Sequence, residues 1–169
     1  MKRINVPYVA QTDDGSCGAA ALEMIYKYYG EEDISQDKIF EKHKSKDLEE
    51  SGVMGIATDD LVDDARERGF ISYWGRADVS NKEDSLRQLR KFLDRKIPLI
   101  VEQQSTSDKK LGHYRVVFGV DNKYVYLHDP DDRDDELGGA SVKVPIDRFM
   151  ELWHKTGKNV TGGLFIFIL

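Results

Sequence analysis

Between Cys17 and Tyr29, apolar residues return at helical spacing. Cys17, Ala20, Ala21, Met24, Ile25 and Tyr28 fall on one face, and Gly30 follows as a stop. Ile39 and Phe40 give the apolar contacts of a second, shorter helix from Ser35 to about Lys44. Residues 49–57 contain glycine and read as a turn. Thr58 then stands as the N-cap of a third helix, with Asp59 and Asp60 in its first turn, Arg66 and Arg68 near its end, and Gly69 as its stop. Phe70 to Trp74 reads as a short strand. Ser80-Asn-Lys-Glu83 reads as a capping box that opens a helix with Leu86, Leu89, Phe92 and Leu93 on one face.

After Lys96 the period drops to two, or to unbroken apolar runs. Ile97 to Gln103 is a strand, followed by a polar loop from Gln104 to Gly112. His113–Val120 and Tyr124–His128 form a hairpin around Asp121-Asn122. An acidic loop, Asp131 to Gly139, precedes a short strand near Val142–Val144. Pro145 opens a last helix with Phe149, Leu152 and Trp153 inward and Gly157 as its stop, and Leu164–Leu169 closes the sheet. The order predicts an α+β fold, a helical N-terminal half followed by a mainly antiparallel C-terminal sheet. No linker or repeat interrupts the 169 residues, which suit a single domain over 1–169.

Composition narrows the partners. The chain is 40 % hydrophobic and 33 % charged, with a net charge of −6 and no basic tract. Nucleic acid and anionic membrane are therefore poor partners. The longest apolar run, Leu164–Leu169, is strand-sized and too short to span a bilayer. One cysteine makes no internal disulfide, so nothing requires an oxidising compartment and a soluble, cytoplasmic protein is expected. No tetrahedral Cys/His set and no phosphate-binding glycine loop is present, so neither metal nor cofactor is expected. Asp131-Asp-Arg-Asp-Asp-Glu136 lacks the glycine and glutamate spacing of a helix-loop-helix calcium site. It reads as a solvated acidic loop, or as one that favours basic substrate residues.

The chemistry centres on Pro7 to Gly30. Cys17 follows a Gly-Ser turn and starts a helical pattern, where the partial positive charge of a helix N-terminus favours the thiolate. Gln11, six residues upstream, is a neutral donor able to reach an oxyanion forming beside the sulfur. A thiolate nucleophile also needs a base, and the base needs an orienter. Of four histidines, His43 lies in a charged stretch, His154 sits beside Trp153 at a helix end, His128 ends a strand, and His113 opens one directly after Gly112. Composition does not choose among them.

This segment resembles the nucleophile segment of papain-like cysteine peptidases, and most of all the bacteriocin-processing family that cuts leader peptides after a double glycine. The resemblance runs from Val6 to Leu169 and is most specific over Gln11–Gly30 and His113–Pro130. It implies a papain-like fold with Cys17 as nucleophile and His113 as general base, then general acid. It further implies Asp129 as the residue that fixes the imidazole tautomer, and an oxyanion hole from Gln11 and the Cys17 N–H. A peptide or protein substrate and a thioester acyl-enzyme follow from the same likeness. Export transporters are commonly fused to such peptidases, and none accompanies these residues.

Hairpin geometry tests the Asp129 assignment. His113 and Asp129 share a sheet face only if paired residue numbers sum to an even number. A two-residue turn at Asp121-Asn122 puts them on opposite faces. A three-residue loop over 121–123, or an equivalent bulge, puts them together. Two departures from the papain pattern are visible: Asp14 replaces its first cysteine, and Gly18 its aromatic. Arg115 occupies a usually apolar place on the His113 face, where it can pair with Asp129 or with the acidic loop. Three readings stay open: hydrolysis of a peptide or isopeptide bond, acyl transfer by the same centre, and a non-catalytic peptide-binding domain.

Overall fold

The computed structural model describes residues 3–45, 54–134, 136–157 and 159–169; part of the 49–57 turn expectation and residue 135 of the acidic loop lie outside it. The elements are α1 (Cys17–Tyr28), α2 (Gln36–His43), α3 (Thr58–Glu67), β1 (Ser72–Arg76), α4 (Lys82–Leu93), β2 (Leu99–Gln104), β3 (Gly112–Val120), β4 (Tyr124–Asp129), β5 (Gly139–Pro145), α5 (Ile146–Trp153) and β6 (Leu164–Ile168). The strands form one antiparallel sheet in the order β1-β6-β2-β3-β4-β5. This is the expected α+β arrangement, with one strand, β1, drawn from the helical half to pair with the last strand, β6. Among the described residues, no helix is long and apolar enough to cross a membrane.

Helix α1 is more deeply placed than a one-sided apolar stripe implies. Every residue from Gly18 to Tyr26 is buried. Its alanines leave room for β3 on one side and for α2 and α3 on others. Glu23 belongs to that buried run because its Oε2 accepts the Gln36 N–H at 2.7 Å, at the start of α2, and Lys27 pairs with its other oxygen. The helix stops as expected, with Gly30 at φ +89°.

Several boundaries move for local reasons. Helix α3 begins at Thr58 with Ala57 as its cap, because the Thr58 hydroxyl is engaged with Tyr114 Oη at 2.8 Å. Asn81, not Ser80, caps α4: Ser80 is held in a turn by Asp78, and Asn81 Oδ1 accepts the Asp84 N–H. Phe70 closes the end of α3 through its N–H to Ala65 O, so β1 starts at Ser72. Helix α5 ends at Trp153, four residues before Gly157, which instead bridges to Val160.

The sheet holds the two halves of the site apart and then joins them at one end. Gln103 is opposite His113, and Glu102 is opposite Tyr114, so these two pairs point to opposite faces. Gln103 Nε2 donates to Phe149 O of α5 on one face. Tyr114 lies against Gly18 and Leu61 on the other, beneath α1 and α3. The first turn of α1 therefore meets the start of β3.

Candidate active site

A short tied turn sets the approach to Cys17. Ser16 is fully buried, and its Oγ accepts the N–H groups of Thr12 and Asp13 at 3.2 and 3.1 Å. Gln36 fastens the same stretch from α2: its Oε1 accepts the Thr12 N–H at 3.0 Å and its Nε2 donates to Ala10 O at 2.7 Å. Gly15 is required here, since a Cβ would overlap the carbonyl oxygen of Met54. Cys17 then opens α1 with its own N–H at the helix end, partly buried and free of any disulfide.

Gln11 stands at the junction of both halves. Its backbone N–H donates to Pro130 O at 2.8 Å, next to Asp129. One side-chain N–H donates to Asp13 O at 2.8 Å, which leaves the second for another acceptor. Its Oε1 is buried with no partner among the described residues.

The hairpin brings His113 and Asp129 together by a bulge. Near the turn, Val120 pairs with Val125 and Gly119 with Tyr126, which are odd sums. The register shifts between Val117 and Gly119, after which Val117 pairs with Leu127 and Val116 with His128, which are even sums. The loop is thus Asn122-Lys123 between Asp121 and Tyr124, and the expected three-residue loop is replaced by its equivalent, a bulge around Phe118. Asp129 Oδ1 lies 2.6 Å from His113 Nε2, leaving Nδ1 for the sulfur side. The Asp131 N–H also donates to that oxygen at 2.8 Å.

Arg115 takes the other oxygen. Its Nε donates to Asp129 Oδ2 at 2.5 Å, its Nη1 to Gln103 Oε1 at 3.2 Å, and its Nη2 to Thr106 Oγ1 at 3.4 Å. Arg115 and Asp129 are both 0 % exposed. The two alternatives for Arg115 both hold in part, because Thr106 in turn donates to Asp134 of the acidic loop.

Electrostatics follow from this placement. Burial pushes the Cys17 thiol up, but the His113 imidazole beside it and a backbone hydrogen bond from Tyr114 outweigh that and hold it below the ordinary thiol value. Burial pushes His113 down, whereas the Cys17 sulfur and the Asp129 carboxylate raise it, against Arg115, to about 9. Asp129 is pushed up by burial yet held below the usual carboxylate range by His113 and Arg115. Both shifts favour the thiolate–imidazolium form of the pair.

Cys17, Gln11 and His113 line one cleft of about 750 Å³, together with residues 55–58, Gly112, Asn159 and Thr161. Gly112 is tight: a Cβ there would lie 2.7 Å from Asn159 O and 3.2 Å from the Glu102 carboxylate. The remaining histidines lie elsewhere. His43 pairs with buried Asp64, His128 bonds Val6 O, and His154 bonds Ser85. His43 is thus not a solvated surface residue.

Sequence reasoning missed Gln36, Gln103 and Glu102. The last two carried a signal, since Glu102-Gln103 interrupts the apolar run that begins at Leu99. Gln36 carried none, because it sits in a polar helix start.

Comparisons with known proteins bear on the family and the fold. The chain is 29 % identical over 173 residues to the transport/processing ATP-binding protein ComA of Streptococcus pneumoniae, a match covering 95 % of this chain. It spans 21 % of that relative's length. Among solved structures, the peptidase domain of Streptococcus ComA superposes with a TM-score of 0.71 at 26 % identity, covering 97 % of this chain and 98 % of that one. A double glycine motif protease from an AMS/PCAT transporter, solved with a leader peptide, shares the fold at a TM-score of 0.67 and 22 % identity, over 98 % of this chain and 92 % of that one. The family model described as Peptidase_C39 like family matches residues 3–161, and the chain belongs to that family.

Proposed function

We propose that this chain, as one peptidase domain, hydrolyses a peptide bond through a thioester on Cys17. The observation that carries this is the contact of His113 with both the Cys17 sulfur and, at 2.6 Å, the Asp129 carboxylate. The Cys17 thiolate attacks the scissile carbonyl, and the negative oxygen that forms is met by the Cys17 N–H and the second side-chain N–H of Gln11. The His113 imidazolium gives its proton to the leaving amine, and the neutral imidazole then takes one from water, which resolves the thioester. Asp129 keeps Nδ1 turned to the sulfur throughout.

The substrate proposed by likeness is a leader peptide cut after two glycines, as the names of the relatives suggest. Gly112 lines the cleft next to His113 and presents no side chain there, which supports a substrate backbone lying alongside it in extended form. Acyl transfer to an amine uses the same thioester. Arg115 lends no support to a binding-only reading, because it and His113 use different oxygens of Asp129. A cytoplasmic location belongs to the same proposal.

The test is incubation with synthetic peptides that carry a Gly-Gly pair, with and without added glycinamide, followed by mass spectrometry. Cleavage after the pair, absent in Cys17→Ala, is expected, with a free acid as product. A new amide only when glycinamide is present makes the chain a transferase. Intact peptides under all conditions overturn the proposal.

A further inference from the structure

One charged group in the cleft has no use in the mechanism above. Glu102 is only 9 % exposed and lines the cleft beside Gly112 and Tyr114. Its Oε1 accepts the Thr161 N–H at 2.6 Å. Its Oε2 lies over the Gly112 backbone, and no Lys or Arg among the described residues pairs with the carboxylate. Burial accordingly pushes the carboxyl up, opposed only by that one N–H.

The other acids of the cleft are already committed or solvated. Asp14 and Asp131 both bind Arg133, the one guanidinium lining the cleft among the described residues. Asp108 is exposed and solvated, and Asp134 accepts the Thr106 hydroxyl and the N–H groups of Glu136 and Leu137. Glu102 is left as a desolvated carboxylate without a counter-charge, which is costly unless a cation is supplied.

We propose that Glu102 is a specificity-determining residue, which takes a lysine or arginine side chain of the substrate near the scissile bond. The placement gives the reason. Gly112 precedes His113, so a chain threaded past Gly112 brings a side chain within reach of the Glu102 Oε2. A charge-assisted contact in this partly dehydrated wall discriminates strongly against an apolar residue of similar length. Five acidic residues against Arg133 also give the cleft a field that draws a cation in. The inference rests on the peptidase reading and goes beyond a requirement for glycine alone.

The test is a set of internally quenched peptides in which the Gly-Gly pair is kept and Arg, Lys, Met or Gln is placed singly at each of the four positions before it. At one position, kcat/KM for Arg or Lys should exceed that for Met by roughly tenfold or more. In Glu102→Gln, which keeps an acceptor for Thr161, that ratio should fall to near one, with unchanged circular dichroism. Equal turnover of Arg and Met peptides at every position overturns the inference and leaves the peptidase reading standing. The same holds if the preference survives in Glu102→Gln, or if Gln is preferred to Arg, the mark of a neutral carboxylic acid. No cleavage of any peptide, with Cys17 also inert to iodoacetamide, overturns both.

Discussion

Arg115 donates its Nε to the Oδ2 of Asp129 at 2.5 Å, inside the protein, while the other oxygen of that carboxylate holds His113. The cation therefore shares the orienting residue with the imidazole and does not displace it. It also ties Asp129 to Gln103 and to the loop carrying Thr106.

Replacing Arg115 by Met tests that division. The guanidinium lowers His113, so its removal should move the alkaline limb of the pH–rate profile above about 9. Loss of one partner of a buried pair should cost about 3–5 kcal/mol of stability. Thermal unfolding and a kcat/KM profile check both. An alkaline limb that moves down would contradict the assignment.

Asp129→Asn keeps the side-chain shape and removes the charge. The imidazole loses its anionic partner and Arg115 becomes a buried, unpaired cation. We expect kcat to fall on the order of 10²- to 10⁴-fold, with a stability loss of about 3–5 kcal/mol. A variant that unfolds at the same denaturant concentration as the parent would place Arg115 elsewhere.

For the parent chain, the pH dependence of kcat/KM should be bell-shaped. As pH rises through the lowered Cys17 value the thiolate forms and the rate climbs. As it rises through about 9, His113 loses the proton that the leaving amine needs, and the rate falls. Stopped assays from pH 4 to 11 read both limbs.

Stability has its own acidic determinant, away from the cleft. Asp64, 1 % exposed, accepts from Tyr26 Oη at 2.7 Å and Arg68 Nε at 2.8 Å, and pairs with His43 at 2.8 Å. Burial raises its carboxyl, but these three partners hold it below the ordinary 3.8. Its contribution is therefore complete above pH 3.8 and is lost as pH falls through the lowered folded value. Asp64→Ala should cost about 3–5 kcal/mol at neutral pH and flatten the acid-unfolding curve.

The pattern of apolar positions was enough to place the elements, because the long runs of α1, β2, β3 and β6 are buried and leave little choice of period. The helix starts were less legible. Thr58 and Ser80 look like caps, but each hydroxyl is taken by a partner outside its helix, Tyr114 in one case and Asp78 in the other. Cys17, Gln11, His113 and Asp129 could be picked out only together, through their likeness to a known segment. Parity of the hairpin register then demanded an irregularity, and the structure provides it as a bulge, not as a longer loop. Arg115, Gln103 and Glu102 were visible as polar interruptions of apolar strands, yet their partners depend on cross-strand register, which spacing along the chain does not reveal.

The proposed mechanism stands on the thiolate–imidazolium pair of Cys17 and His113. The direct measurement is the rate of Cys17 alkylation by iodoacetamide against pH, in the parent and in His113→Ala; the chain has one cysteine, so the signal has one source. In the parent the rate should reach half its maximum at a pH below the free-thiol value of about 8.5. In His113→Ala that pH should rise to or above the same value, since burial remains and the imidazole does not. Superimposed profiles, or a thiol that reacts only after unfolding, would contradict the pair and with it the proposed mechanism.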